Sequence, residues 1–316
     1  MRAVVDDVTS AVEGELGRLA DDRRRRLGQL GVVDLAEWQQ LVTFGLVHGV
    51  AGGMRYVDVA AGMLAAARGG LPGPVLEAAL AVAAGSDAAV QTLARGGVVT
   101  SVPPGAAGPV IVGWGAVADL VVDQSSGATI AESSLEPVQT ALPMGHGSYE
   151  RGVSTTDCVR DQRWLFASAL VTGLATGAVL LATDYVRDRN QFGRPLASFQ
   201  AVQFRLAECI LKLDAARLMV LDAARRADAG DERADVAAAL AWIYVSELAP
   251  VVEKHTHQVM GAIGFTQEAG LIRLSYQSAW IRTSVDVDSA VELALDRRES
   301  NREVPHSVVL DGFLTA

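Results

Sequence analysis

Aromatic side chains are scarce in this chain. Five Trp, five Tyr and seven Phe make up 5% of 316 residues, although half of all residues are hydrophobic. The core must therefore be assembled from Ala, Val, Leu and Gly, a composition that suits helices packed closely through small side chains. Cysteine is almost missing: Cys158 and Cys209 form neither a pairing framework nor a metal-ligand spacing. The five histidines, His48, His146, His255, His257 and His306, show no ligand pattern, and His255 and His257, two apart, do not share a helix face. No metal is expected. Positive charge is also short, with 27 Lys and Arg against 37 Asp and Glu. The net charge of −10 excludes the basic footprint that nucleic acid requires. The run Arg23 to Arg26 follows Asp21 and Asp22 and reads as a solvated, self-neutralising face. The N-terminal stretch has early acids and no apolar core, so no signal peptide is read there and the cytoplasm is the expected compartment.

Long uncharged runs are rare too. One of the longest, Trp164 to Thr183, has 20 residues and holds Gly173 and Gly177 at G-x-x-x-G spacing. That length spans a bilayer, and the glycine spacing is a packing device found there. The run also holds Ser168, Thr172, Thr176 and Thr183, and no one-sided basic cluster flanks it. It is therefore read as a buried helix whose small residues admit a neighbour, not as a membrane span.

What is present falls into blocks. Residues 1–95 read as an N-terminal helical domain, with a pattern from Leu27 to Leu35, a helical segment from Trp38 to Met54, another from Tyr56 to Ala67, and a Pro-Gly-Pro turn feeding an Ala-rich helix in which Pro74 suits the first turn. Residues 96–150 alternate short Val/Ile runs with Gly, Pro and Ser, which predicts a small β-domain of about five strands. Pro103, Pro104 and Pro109 predict edge positions for the early strands. Residues 151–300 are helical again. Phe199, Val202, Leu206, Cys209, Leu213 and Val220 form one apolar stripe; Asp235 to Val259, Leu271 to Ile281 and Val287 to Leu295 complete a four-helix bundle. Residues 301–316 form a polar tail. The fold class is mainly α with a small β-domain.

The stretch Arg189 to Gln200, RNQFGRPLASFQ, joins two of those helices and is richer than a plain connection needs. Gly193 and Pro195 define its path, and Ser198 is positioned to cap the next helix. Together with the residues that follow, RNQFGRPLASFQAVQFRLAE resembles the FAD-dependent acyl-CoA dehydrogenase family, whose C-terminal domain carries R-x-Q/T-F-G-x-P-I/L-x-x-F/H-Q-x-V-Q-x-x-L-A/D. A second patch, HQVMGAIGFTQE at 257–268, resembles that family's Q-x-x-G-G-x-G-F-T/N-x-E segment. Order and separation of the patches are also the family's. LPGPVLE at 71–77 is a short supporting match.

The resemblance implies an N-terminal helical domain, a middle β-domain and a C-terminal four-helix bundle, the first two compressed here. It implies that Arg189, Gln191 and Phe192 reach across a subunit interface to a neighbour's FAD. Gln258, Gly261 and Ala262 would lie against adenine and pyrophosphate, with Ala262 standing where the family usually has Gly. It also exposes departures. The family's catalytic Glu occurs at one of two positions, and these hold Val285 and Arg163 or Trp164; the usual R-D-A/S reads Tyr276, Gln277, Ser278. Asp286 and Asp288 are the fallback acids, and both also read as helix-start residues. The T-E-P-x-x-G-S-D loop is not found: GSDAAV at 85–90 sits in a helical context, and Trp114 reads as a tryptophan of the β-core.

The implied protein is thus a subunit of a heteromeric α2β2 acyl-CoA dehydrogenase that retains what it lends to a partner's FAD. A partner acyl-CoA dehydrogenase subunit would carry the Glu. An acyl-CoA, bulky and steroid-derived by the same resemblance, would be the substrate, and an electron-transfer acceptor a further partner. The competing expectations are a self-sufficient enzyme with a displaced acid, and a non-enzymatic protein on the same scaffold.

Overall fold

The computed structural model describes residues 7–26, 33–105, 108–130, 136–138, 146–151 and 159–300. The sequence expectations for Leu27, Leu30, Cys158, His306 and the tail lie outside those residues.

Helices open the chain: α1 Asp7–Arg26, α2 Leu35–Phe44, α3 Tyr56–Ala67, α4 Val75–Ala83 and α5 Asp87–Ala94. The expected Trp38–Met54 helix is shorter than its apolar pattern. It stops at Gly45, whose φ of 91° lets its N–H close onto the carbonyls of Leu41 and Val42. Gly49, Gly52 and Gly53 then hold the chain in a 3₁₀ turn, because glycine loses most entropy in a helix interior. Pro74 stands just before α4, not inside its first turn.

Six short strands follow among the described residues: β1 Val99–Val102, β2 Gly108–Val112, β3 Leu120–Asp123, β4 Thr129–Ile130, β5 Glu136–Val138 and β6 His146–Arg151. They form two sheets, in the orders β1-β3-β4 and β2-β6-β5. Val99 pairs in parallel with Leu120, and Val112 pairs antiparallel with Gly147. The proline-flanked β1 and the proline-bearing β2 are both edge strands, where a missing N–H leaves no gap in a ladder. Trp114 is buried, but it lies in the turn after β2 with φ 63°, not on a strand.

The second helical block is built on α6, Arg160–Asp188. After the hairpin β7 Asn190–Gln191 and β8 Arg194–Pro195 come α7 Gln200–Asp228, α8 Ala234–Met260, α9 Leu271–Ser284 and α10 Asp288–Ser300. Helix α6 packs against α3, α7, α8 and α9 and so ties the first helices to the bundle. Gly173 and Gly177 make the α3 contact. A methyl group at either would strike the carbonyl oxygens of Leu64 or Arg68, so backbone meets backbone there. Two helical stretches, Arg160–Asp188 and Ala234–Phe265, are long and apolar enough to cross a membrane; the most apolar window of the first is 83% buried inside the fold. Four of the six stripe residues, Leu206, Cys209, Leu213 and Val220, are buried; Val202 is half-buried, and Phe199 stands just before α7 at its cap position.

Polar side chains stitch these layers together. Arg163 donates twice to Gln124 Oε1, at 3.2 and 2.6 Å. Gln124 Nε2 donates to Ser101 Oγ at 2.8 Å, and Ser101 Oγ to the carbonyl of Glu77. Helix α6, strand β1 and helix α4 are thereby joined. The Glu77 carboxyl is itself buried, which pushes its pKa up, partly offset by the hydrogen bond from Trp280 Nε1 at 2.9 Å.

Candidate functional site

Arg189 follows the last residue of α6 in an extended conformation, φ −78° and ψ 117°. Its carbonyl accepts from Leu196 N–H at 2.8 Å, closing the base of a hairpin in which Gln191 pairs with Arg194. The two-residue tip requires positive φ at both positions, as I′ turns do: Phe192 is at 55° and Gly193 at 78°. Glycine adopts this freely; phenylalanine does so at a cost of about 1–2 kcal/mol. The strained residue projects its ring outward, 87% exposed, with its edge towards Phe199 at 6.1 Å between centroids. The Arg194 guanidinium lies over the Phe199 ring at 4.0 Å. Ser198 does not cap α7. Its hydroxyl donates back to Pro195 O at 2.7 Å, and Phe199 occupies the cap position without a side-chain bond.

The second patch ends α8. Gly261 is the C-cap, at φ 66° and ψ −147°, a region reserved for glycine. A 3₁₀ turn, Gly261–Phe265, follows. Gly264 is packed close to Met260, Leu271 and His257, while nothing lies within 4 Å of the position of a Gly261 Cβ. One glycine thus allows packing and the other leaves open space.

The two patches meet. Arg189, Gln191, Gln258, Gly261 and Ala262 all line one cleft of about 670 Å³ between the hairpin, the start of α7 and the end of α8. Phe192 does not line it and stands out on the hairpin tip. Arg205, from the second turn of α7, lines the same cleft and was not singled out in the sequence. The signal was its place three and four residues beyond Val202 and Ala201, which put all three on one helix face. Among the described residues, the Arg189 and Arg205 guanidiniums have no carboxylate within ion-pair distance. Permanent positive charge with two amides and an open glycine floor suits a phosphate-bearing nucleotide.

One turn further along α7 from Arg205, Cys209 Sγ lies 3.5 Å from His255 Nδ1. Burial, then the Glu208 carboxylate, pushes the thiol up to about 11, so it remains protonated at neutral pH. The His255 pKa is lowered, first by burial and then by Arg205. His257 is also lowered by burial; it bonds Ser275 Oγ at 2.9 Å and stacks on Phe265 at 4.4 Å. Among the described residues no group of three or more His, Cys, Asp or Glu gathers to hold a metal.

The fallback acids lie elsewhere. Asp286 accepts from the N–H of Asp288 at 2.9 Å and of Ser289 at 3.3 Å, the geometry of a helix cap for α10. Both acids are exposed, and neither lines the Arg189 cleft. The fold does bring the two base positions together: Trp164 Nε1 donates to Asp286 O at 3.3 Å, beside buried Val285. The G-S-D of residues 85–87 is a helix start, Ser86 Oγ accepting from Ala89 N–H at 3.3 Å.

Residues 155–283 match the acyl-CoA dehydrogenase C-terminal domain. A probable acyl-CoA dehydrogenase of Mycobacterium tuberculosis is 40% identical over 100 residues, which cover 32% of this chain and 26% of that protein. The matched stretch is thus about a quarter of that relative's length. Among solved structures, the chain is similar to a chain of the ChsE4-ChsE5 complex from Mycobacterium tuberculosis, with TM-score 0.76, 20% identity, and coverage of 96% of this chain and 100% of that one. It is similar also to the Tcur3481-Tcur3483 steroid ACAD G363A variant, with TM-score 0.72, 19% identity, and coverage of 92% and 98%. Both sequence patches that converge on the cleft lie inside the matched stretch: residues 155–283 belong to the acyl-CoA dehydrogenase C-terminal domain family.

Proposed function

We propose that this chain is a subunit of a FAD-dependent acyl-CoA dehydrogenase and lends one wall of a dinucleotide site to a partner subunit. The observation that carries the reading is the convergence of Arg189, Gln191, Gln258, Gly261 and Ala262 on one cleft. None of those side chains bonds to another described group. A guanidinium and amides left without partners at a surface cleft are donors awaiting an acceptor. Arg189 would bind the diphosphate of FAD, Gln191 and Gln258 its polar edges, and Phe192 would cover the dinucleotide from the hairpin tip. Gly261 would keep the backbone close. FAD, when bound, supplies the hydride acceptor for α,β-desaturation of an acyl-CoA thioester.

The partner supplies the proton-abstracting Glu in this reading. The two positions that the resemblance gives to that residue hold Val285 and Arg163 or Trp164, and Asp286 is engaged as a cap. Apolar side chains left exposed on α7 support a partner surface: Phe204, Leu211 and Leu218 recur every seven residues, 64%, 71% and 55% exposed. Two of the similar structures are named for paired components, and one is named a steroid ACAD. An α2β2 assembly acting on a bulky, steroid-derived acyl-CoA in the cytoplasm, and passing electrons to a separate acceptor, is the form we favour.

The test is co-expression with a full-length-type acyl-CoA dehydrogenase subunit, followed by flavin absorbance and mass of the complex. Arg189→Ala is expected to lower FAD content with both chains still folded. Unchanged flavin occupancy would refute the assignment of Arg189. A chain that binds no flavin with any such partner would be a non-enzymatic protein on this scaffold.

A further inference from the structure

The Arg189 cleft holds a second cation that the family motif does not contain. Arg205 reaches it from α7, while Arg189 reaches it from the end of α6. Several other arginines are matched to acids, among them Arg55 with Asp58, Arg217 with Glu13, Arg226 with Asp222, Arg282 with Glu253 and Arg297 with Asp235; Arg194 instead lies over the Phe199 ring. With 37 acids for 27 bases, partners are not in short supply. Glu208, three residues on from Arg205 and so on the same helix face, has its carboxylate on Lys212 Nζ at 2.8 Å instead. Arg205 is half-buried, so its charge is only partly hydrated.

Two unmatched guanidiniums in one concavity fit a ligand with two adjacent anionic groups. A diphosphate carries one charge on each phosphorus, and each phosphate presents the oxygen pair that a guanidinium fork grips. A lone carboxylate would satisfy one arginine and leave the other unmatched. The floor admits such a group, since the position of a Gly261 Cβ is open space. We propose that Arg205 is a second diphosphate-binding residue, sharing with Arg189 the two phosphates of the dinucleotide. This rests on the reading of the cleft given above and adds a residue to it.

Because both arginines belong to this chain, ADP tests the idea without a partner. ADP and the neutral control adenosine are titrated into the full-length chain and followed by NMR. Arg205→Ala is expected to weaken ADP at least about tenfold, the scale of a lost charge-assisted bond, and to leave adenosine unchanged. Arg205→Lys, which retains charge and loses the fork, should fall between. A second readout uses His255, whose surroundings are Arg205, Glu208, Lys212 and Lys254. Bound diphosphate should neutralise Arg205 and raise the His255 midpoint in the wild type, with no such rise in Arg205→Ala. If Arg205→Ala binds ADP like the wild type while Arg189→Ala does not, the proposal fails and the cleft reading stands. If Arg205→Ala impairs only assembly with a partner subunit, the arginine serves a partner's carboxylate and the proposal fails. If the wild type discriminates nothing between ADP and adenosine, the arginine pair does not grip a diphosphate and the proposal fails, while the cleft reading is still decided by flavin content of the co-expressed complex.

Discussion

The Gln277 side chain closes both backbone hydrogen bonds of Leu71, a residue 206 positions away: its Oε1 accepts from Leu71 N–H at 2.7 Å and its Nε2 donates to Leu71 O at 2.9 Å. Gln277 stands where the family pattern has an acid. Its amide offers a donor and an acceptor on separate atoms, whereas an ionised carboxylate only accepts. A carboxylate would satisfy the N–H and leave the carbonyl without a donor. The segment before α4 is therefore pinned to α9 by chemistry that the usual residue lacks.

Gln277→Asp should destabilise the fold by about 1–3 kcal/mol once the carboxyl ionises and leaves the Leu71 carbonyl without a donor, and by less at pH 4, where a protonated carboxyl still has a proton to donate. Urea unfolding at pH 4 and pH 7 checks this. Equal loss at both would mean that length, not charge, matters at this position.

Glu77 gives a pH dependence of definite sign. Its folded pKa is raised above the ordinary 4.5 by burial. The folded state then retains a proton that the unfolded state releases, so stability is full below about 4.5 and falls as pH rises towards the folded value. Glu77→Gln retains an acceptor for Trp280 Nε1 and removes the ionisation. Its melting temperature should exceed the wild type's at pH 8 and match it at pH 4. A constant difference across that range would disprove the linkage.

Phe192 separates stability from binding. Its ring is 87% exposed on a backbone at φ 55°. Phe192→Gly relieves the backbone strain but frees the unfolded chain, so stability should change by less than about 1 kcal/mol in either direction. Flavin content of the co-expressed complex should nonetheless fall. Loss of stability beyond that margin would identify Phe192 as a packing residue.

Gly177→Ala should cost about 1–3 kcal/mol or more, since the added methyl meets the Arg68 carbonyl and not a side chain that can turn away. Thermal unfolding measures it, and a neutral outcome would mean that α3 and α6 can move apart.

Much of the bundle was legible because its pattern is local. Helix α8 was expected over Asp235–Val259 and runs Ala234–Met260. The stripe from Leu206 to Val220 faces inward because periodicity alone sets it. What failed was decided by neighbours or by competing bonds. Gly45 ends α2 although apolar residues continue to Met54. Ser198 had a nearer carbonyl in Pro195 than the N–H groups of α7. Glu77 lies in the first turn of an Ala-rich helix, and its local sequence carries no sign of Trp280, 203 positions away, which bonds it in the core. The other cleft residues belong to the motif, while Arg205 lies inside a regular helical pattern, and only the fold brings it to the cleft that Arg189 lines.

The crossing at Gly173 and Gly177 has a consequence for motion. Side chains that interlock can trade rotamers and let helices slide, but two main chains in direct apposition have no such slack. The N-terminal helices therefore cannot rock against the bundle in small steps at this crossing. Movement at this point would have to part α3 from α6 as whole helices.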